Sequence, residues 1–262
     1  MARATPDPGP QLPAPSRVLA GKTVLVTGAA RRVGAAIVRV LHGAGANVVL
    51  HYHSSANAAA QLAAELNAAR AGSVRLTAGD LLDTSRHPAL IADCVAAFGA
   101  LDILVNNAST FYPTPMGDIT ERDWDDLIGT NLKAPLFLAQ AAASALHERA
   151  GLIINLADIH GLRPLRRYPV YCLAKAGVIM LTRALARELG PHVRVNAVAP
   201  GPVMWPEDGV DAALQAKITQ RTALKRSGSA VDVARACLFF AADAPYVTGQ
   251  ILAVDGGRSV GW

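Results

Sequence analysis

Short apolar runs alternate with longer stretches of helical periodicity along most of the chain. Seven runs, at residues 23–27, 47–52, 74–78, 101–105, 152–157, 193–198 and 251–254, read as strands. Several, such as Val48-Val49-Leu50 and Leu152-Ile153-Ile154, are nearly continuous in branched apolar residues. That is the pattern of parallel strands buried on both faces. The stretches between them are rich in Ala, Leu, Glu and Arg and are long enough for helices. Repeated strand–helix–strand units predict an α/β fold, a doubly wound parallel sheet of about seven strands with helices on both faces. No internal repeat or linker follows residue 20, so one domain over 21–262 is expected. The first twenty residues carry Pro6, Pro8, Pro10, Pro13 and Pro15 and no apolar block. They read as a disordered Pro/Ala-rich lead-in.

Composition narrows the class. The 262 residues are 52% hydrophobic and 17% charged, ample for a packed core. No run approaches the ~18 consecutive apolar residues of a membrane span. Basic residues number 25 against 20 acidic. This surplus suits phosphates but is too small and scattered to argue for nucleic acid. Cys94, Cys172 and Cys237 are odd in number and widely spaced, with no metal-ligand clustering. Neither disulfides nor a metal are expected, and a cytoplasmic setting follows.

The first strand leads into Thr27-Gly28-Ala29-Ala30-Arg31-Arg32-Val33-Gly34. A strand, a glycine turn and a helix start make an anion site, because free N–H groups and the positive end of the helix dipole face the ligand. A dinucleotide fingerprint carries three glycines, and here Arg32 stands at the middle one. Alone, the segment also suits a turn without ligand. The second strand ends His51-Tyr52-His53-Ser54-Ser55, and no acidic residue occurs between Gly28 and Glu65. A carboxylate there would accept ribose hydroxyls and repel a 2′-phosphate. Its absence favours NADPH over NADH. His53, Ser54 and Ser55 can donate to that phosphate, with Arg31 or Arg32 adding charge. Asp80, after the third strand, can bond an adenine or cap a helix.

Tyr171 and Lys175 are spaced i, i+4 and share one helical face. A nearby ammonium lowers a phenol's pKa, and the pair can pass a proton to a substrate as hydride arrives. Asn106-Asn107-Ala108-Ser109 follows the fourth strand, and Asn131 lies in Gly129-Thr130-Asn131-Leu132. With the phosphate turn, Pro200-Gly201 and Val254-Asp255-Gly256-Gly257, this ordered set resembles the short-chain dehydrogenase/reductase family. The resemblance spans about residues 21–258. It implies a Rossmann-like fold, a nicotinamide cofactor and usually a tetramer or dimer, with a homotetramer expected here.

The family pattern has a Ser about thirteen residues before the Tyr. No Ser or Thr occurs between Ala150 and Tyr171, and the position holds Asp158. A carboxylate repels a developing oxyanion but suits a substrate that offers N–H groups. Asp158 can also cap the turn that follows it. With Arg32, the His51-Tyr52-His53 strand end and Ser109-Thr110-Phe111-Tyr112-Pro113, Asp158 makes the chain similar to the pteridine reductase branch. That branch commonly has an Arg where this chain has Ser54.

The resemblance implies roles. Phe111 would be a platform for a pterin ring. Arg32 would reach the cofactor phosphates and the pterin, and Ser109 would bond the cofactor or the ring. Asp158 would bond the pterin's amino and ring nitrogens. Tyr171 would deliver the proton. Lys175 would hold the nicotinamide ribose and lower the Tyr171 pKa, and Asn131 would bond backbone and hold a water. Asn107, Ala108, Pro200 and Gly201 would line the cofactor, with Gly28, Arg31, Val33 and the 51–55 segment. The segment 201–226, with Trp205, Pro206, Glu207 and Asp208, would cover the substrate. His160 reads as a wall residue. Arg163, Arg166 and Arg167 either attract an anionic tail, such as a folate glutamate, or form a solvated loop or a subunit contact. The expected activity is NADPH-dependent reduction of dihydropterins, with oxidised pterins and dihydrofolate as further substrates. Two other readings stand: a carbonyl or 3-oxoacyl thioester reductase, and a silent NADPH-binding scaffold or sensor.

Overall fold

Each of the seven apolar runs forms a strand: β1 (Thr23–Val26), β2 (Asn47–Tyr52), β3 (Val74–Ala78), β4 (Ile103–Asn106), β5 (Leu152–Leu156), β6 (Arg194–Pro200) and β7 (Ile251–Val254). The computed structural model describes residues 17–205 and 211–261. All strand pairs are parallel, in one sheet ordered β3-β2-β1-β4-β5-β6-β7. The described helices are α1 (Arg32–Gly43), α2 (Ala56–Ala69), α3 (His87–Phe98), α4 (Glu121–Ile128), α5 (Ala134–His147), α6 (Pro169–Leu189), α7 (Ala212–Gln220) and α8 (Ala230–Ala242).

Alternation along each strand explains the continuous apolar runs. Val24, Val26, Ile103, Val105, Leu152 and Ile154 join one core cluster with residues of α1, α2 and α8. Leu25, Leu104 and Ile153 point the other way, into a cluster with α3 and α5. Successive side chains take opposite faces. A strand covered on both sides must therefore be apolar at every position. Each buried Leu or Ile so placed is worth roughly 2–5 kcal/mol against truncation to Ala.

Two of the buried polar residues in the strands tie the layers. Asn106 Nδ2 donates to Asn155 Oδ1 and Asn155 Nδ2 to Thr182 Oγ1, both at 2.9 Å, linking β4, β5 and α6. Both amide nitrogens and the Asn155 oxygen are thereby bonded, whereas Asn106 Oδ1 is buried without a partner among the described residues. By length and composition, α6 alone among the described helices could cross a membrane. Here it lies against β6 and buries Val170, Ala174, Val178 and Ile179.

The domain begins earlier than composition implies. Leu19 is buried in the core and its N–H donates to the Ala44 carbonyl. Residues 17–20 therefore belong to the fold; residues 1–16 of the expected lead-in lie outside the described residues. The order in which strands are added to the sheet reverses at β1, which has β2 on one side and β4 on the other. The crevice at the carboxyl ends of β1 and β4 is where such sheets bind ligands.

Candidate active site

At that crevice the loops after β1 and β4 are knit together. Thr27 Oγ1 accepts from the N–H groups of Asn107 and Ala108, at 2.9 and 3.0 Å. Asn107 Nδ2 donates to the carbonyls of Thr27 and Gly28, at 2.8 and 3.0 Å. Gly28 sits at φ +59°, and a Cβ there would meet Ala108 Cα at 2.9 Å. A Cβ at Gly34 would meet the Gly28 carbonyl oxygen at 2.5 Å. Arg32, at the position where a third glycine was expected, keeps the left-handed backbone with φ 54°. Its Nη2 donates to the Trp205 carbonyl at 3.0 Å, joining the turn after β1 to the segment after β6.

The start of α1 is open to an anion. Its N-cap, Arg31, makes no side-chain cap, and the first turn holds no acidic residue. Val33, in that turn, packs on the core and offers only its backbone. The second helix starts in the same way: Ser55 is the N-cap of α2, caps nothing, and no acid follows in the first turn. His53 and Ser54 are exposed beside it. Two uncapped, acid-free helix starts fit a ligand with two separated phosphate groups.

His51 departs from its expected place at the cofactor. It is buried under the phosphate turn. Its Nδ1 accepts the Gly28 N–H at 3.3 Å, and Nε2 lies 3.2 Å from the Gly79 carbonyl. Only a neutral ring protonated on Nε2 satisfies both. Burial pushes its pKa down to about 4. His51 is buried on one face of β2 and Tyr52, on the other, packs on the core; β2 ends at Tyr52, so His53 lies beyond the sheet and is exposed. Asp80 is exposed and its Oδ1 accepts the Leu82 N–H at 2.9 Å in a local turn; the helical turns that follow are capped from Asp83 and Arg86, so Asp80 caps no helix. Pro200 ends β6. The Gly201 N–H donates to Val254 at 3.0 Å, and a Cβ at Gly201 would meet Asp255 Cβ at 2.5 Å. Trp205 contributes its carbonyl; Pro206, Glu207 and Asp208 lie outside the described residues.

The reacting end is assembled from β5 and α6. Asp158 uses both of its oxygens. Oδ1 accepts the His160 N–H at 2.7 Å, capping the 3₁₀ turn Ile159–Gly161, and Oδ2 accepts the Tyr171 phenol at 2.8 Å. The structural and functional readings of Asp158 are thus compatible. Lys175 is buried, with Nζ donating to the Leu156 carbonyl at 2.8 Å and 5.7 Å from the Tyr171 ring centre. Ser109 Oγ donates to Asn131 Oδ1 at 2.5 Å. Asn131 sits in a π-helical turn, Gly129–Lys133, and its Nδ2 donates to the carbonyls of Leu127 and Thr110, at 2.9 and 3.0 Å. Asn131 therefore bonds backbone, as expected, and positions Ser109.

The electrostatics correct one expectation. Lys175 was expected to lower the Tyr171 pKa. Instead the Tyr171 phenol is pushed well up, by burial first and then by the Asp158 carboxylate, with Ser109 opposing. Burial lowers Lys175 to about 8, and Asp158 opposes that shift. A carboxylate at hydrogen-bond distance acts on the phenol more strongly than an ammonium farther off. The phenol thus holds its proton.

Phe111 is 44% exposed but is not a bare platform. It stacks on Tyr168 with ring centres 4.6 Å apart and planes 12° from parallel, and meets Tyr171 edge-on at 4.8 Å. Tyr168 was missed in the sequence. It stands three residues before Tyr171, at the N-cap of α6. Arg163 lines a cavity with His160, whereas Arg166 and Arg167 do not.

Comparison with known proteins places this arrangement. A family model described as enoyl-(acyl carrier protein) reductase matches residues 28–259. Pteridine reductase 1 of Leishmania tarentolae is 37% identical over 277 aligned residues, covering 90% of this chain and 96% of the relative. The 3-oxoacyl-[acyl-carrier-protein] reductase of Staphylococcus aureus is also 37% identical, covering 90% and 97%. A blue fluorescent protein from a metagenomic library, solved in complex with NADPH, superimposes with TM-score 0.86 at 34% identity, covering 92% of this chain and 98% of that one. The chain belongs to the short-chain dehydrogenase/reductase family.

Proposed function

We propose that this protein is an NADPH-dependent pteridine reductase that converts dihydropterins to tetrahydropterins. That it is an NADPH-dependent oxidoreductase follows from its family and its relatives. Overall identity does not choose the substrate, since a pterin reductase and a 3-oxoacyl thioester reductase are equally similar. The observation that carries the choice is the bond from the Tyr171 phenol to Asp158 Oδ2 at 2.8 Å. Carbonyl reduction builds negative charge on oxygen, and a carboxylate beside that oxygen raises the barrier. A pterin offers amino and ring N–H donors that a carboxylate accepts.

NADPH supplies the hydride; its two phosphate ends suit the uncapped starts of α1 and α2. The residues of the chain supply the proton and the alignment. Reducing a C=N bond adds hydride to carbon and a proton to nitrogen. In the free site the phenol proton rests on Tyr171 and is shared with Asp158. Substrate N–H groups that take Asp158 Oδ2 release the phenol to donate to the ring nitrogen. Ser109 donates its one O–H to Asn131 Oδ1, so it would bond the phenolate that remains by turning that hydrogen away from Asn131. Lys175, lowered to about 8 by burial, would hold a ribose hydroxyl and return a proton to Tyr171. Phe111 would present its ring to the flat substrate.

The test is NADPH oxidation with dihydrobiopterin and dihydrofolate beside ketones and an acetoacetyl thioester. Turnover confined to the pterins supports the reading; turnover confined to carbonyls sinks it. The same reading implies a homotetramer. Exposed Leu136 on α5 and Leu173 and Met180 on α6 offer apolar contact area. Light scattering should then give about four times the chain mass of 27.3 kDa.

A further inference from the structure

The loops that follow β1 and β3 meet on one buried side chain of β2, His51. Its Nδ1 accepts the Gly28 N–H, and its main-chain carbonyl accepts the Ala29 N–H at 2.8 Å. Two successive N–H groups of the phosphate turn are therefore taken by one residue. On the other side of the ring, Nε2 bonds the Gly79 carbonyl, while the Gly79 N–H donates to the Tyr52 carbonyl at 3.1 Å. The loop after β3 is thus held by the last two residues of β2.

The ladder between β1 and β2 stops at Val26 and Leu50. Beyond it, the turn is tied to β2 through His51. Gly28 takes a left-handed backbone at φ +59°, and a glycine samples many others, so a bonded partner is what selects one. An anion at the turn cannot be met by the Gly28 and Ala29 N–H groups, which are already bonded. It must be met farther along, at the start of α1, where first-turn N–H groups have no partner within the helix. The second uncapped start, at Ser55 of α2, follows closely on the end of β2 at Tyr52. His51 bonds the turn that leads into α1 and lies in the strand that leads to α2. It therefore fixes how far apart the two helix starts stand. We propose that His51 is a positioning residue for the cofactor, its ring and carbonyl holding the phosphate turn at the spacing that two separated phosphate groups require. It lies beneath the turn and acts through Gly28 and Ala29. This role needs NADPH as the cofactor but no particular substrate.

Substitutions can divide the ring's two contacts. Asn places an acceptor where Nδ1 stands, Gln places a donor where Nε2 stands, and Leu supplies neither. Calorimetry with the full chain measures the binding of NADP⁺ and of adenosine 2′,5′-bisphosphate, the half of the cofactor that carries the 2′-phosphate and no nicotinamide. His51→Leu should weaken both probes at least roughly ten-fold, as when a positioned backbone shifts. His51→Asn should stay within about three-fold of the parent, and His51→Gln should fall between the two. His42→Leu is the control for loss of a buried, bonded histidine, since His42 Nε2 lies 2.7 Å from Ser73 Oγ at the far end of α1. It should destabilise the fold and leave both probes within about two-fold. Should His51→Leu fail to fold, tighter binding by the Asn variant than by the Gln variant supports the role. Four results would each overturn it: His51→Leu binding as the parent does, equal binding by the Asn and Gln variants, a His42→Leu loss as large as that of His51→Leu, or a loss confined to NADP⁺ and absent with the bisphosphate.

Discussion

At residue scale the chemistry turns on how Asp158 divides its oxygens between the His160 N–H and the Tyr171 phenol. Asp158→Ser keeps a cap for the turn, since a hydroxyl also accepts a backbone N–H. It removes the acceptor for substrate N–H groups and one cause of the raised phenol pKa. Dihydropterin turnover should fall at least roughly 100-fold, a loss typical of removing a proton-transfer partner. The NADPH dissociation constant should stay within about two-fold, because Asp158 is not at the phosphate end. Loss of both together would deny Asp158 a role in the chemistry. His51 carries a second prediction. Its folded pKa of about 4 lies below the ordinary 6.5. Above the ordinary value the ring is neutral in both states and nothing is lost. Between the two values the unfolded chain takes the proton and the folded chain does not, so stability drops as pH falls through that window. The full loss is roughly 3 kcal/mol. Urea midpoints measured from pH 7 to pH 4 should decline less steeply in His51→Gln than in the parent, whatever their absolute level.

At the scale of elements, two glycines of the phosphate turn test whether the site is built by packing. Gly34→Ala places a methyl 2.5 Å from the Gly28 carbonyl oxygen, which cannot yield without moving the turn. NADPH affinity should fall by at least roughly ten-fold, as expected when a positioned backbone shifts. Gly72→Ala, at φ +70° with nothing within 4 Å, is the control. It should cost only about 1 kcal/mol of strain and leave NADPH binding alone. Calorimetric titration of both variants decides the matter; equal losses would mean the turn tolerates displacement. The elements were the most legible part of the chain. Val24-Leu25-Val26 and Ile153 with its neighbours are apolar at every position because both faces of the sheet are covered. The i, i+4 spacing of Tyr171 and Lys175 located one face of α6 for the same geometric reason. Spacing does not report what else reaches that face, which is why the sign of the Tyr171 shift was misjudged from Lys175 alone.

At the scale of the molecule, what sequence could not reveal is what folding brings together from far apart. Arg163, Arg221 and Arg258 have no pattern in common along the chain, yet they line one cavity. The bond from Arg32 to the Trp205 carbonyl likewise spans the crevice and joins the two halves of the sheet. A ligand seated there should stabilise the whole fold, because it binds the folded state and not the unfolded chain. At about 100 times its dissociation constant, NADPH should contribute roughly 2.7 kcal/mol and raise the melting temperature by roughly 5–8 °C. The preference for NADPH over NADH should reside at the start of α2. Asp serves as well as Ser at an N-cap, so Ser55→Asp should leave the fold unharmed. Its charge would repel a 2′-phosphate and accept a ribose hydroxyl. Scanning calorimetry of that variant should show a smaller shift with NADPH and a larger one with NADH. An unchanged pair of shifts would move the phosphate away from α2 and leave its uncapped start without a purpose.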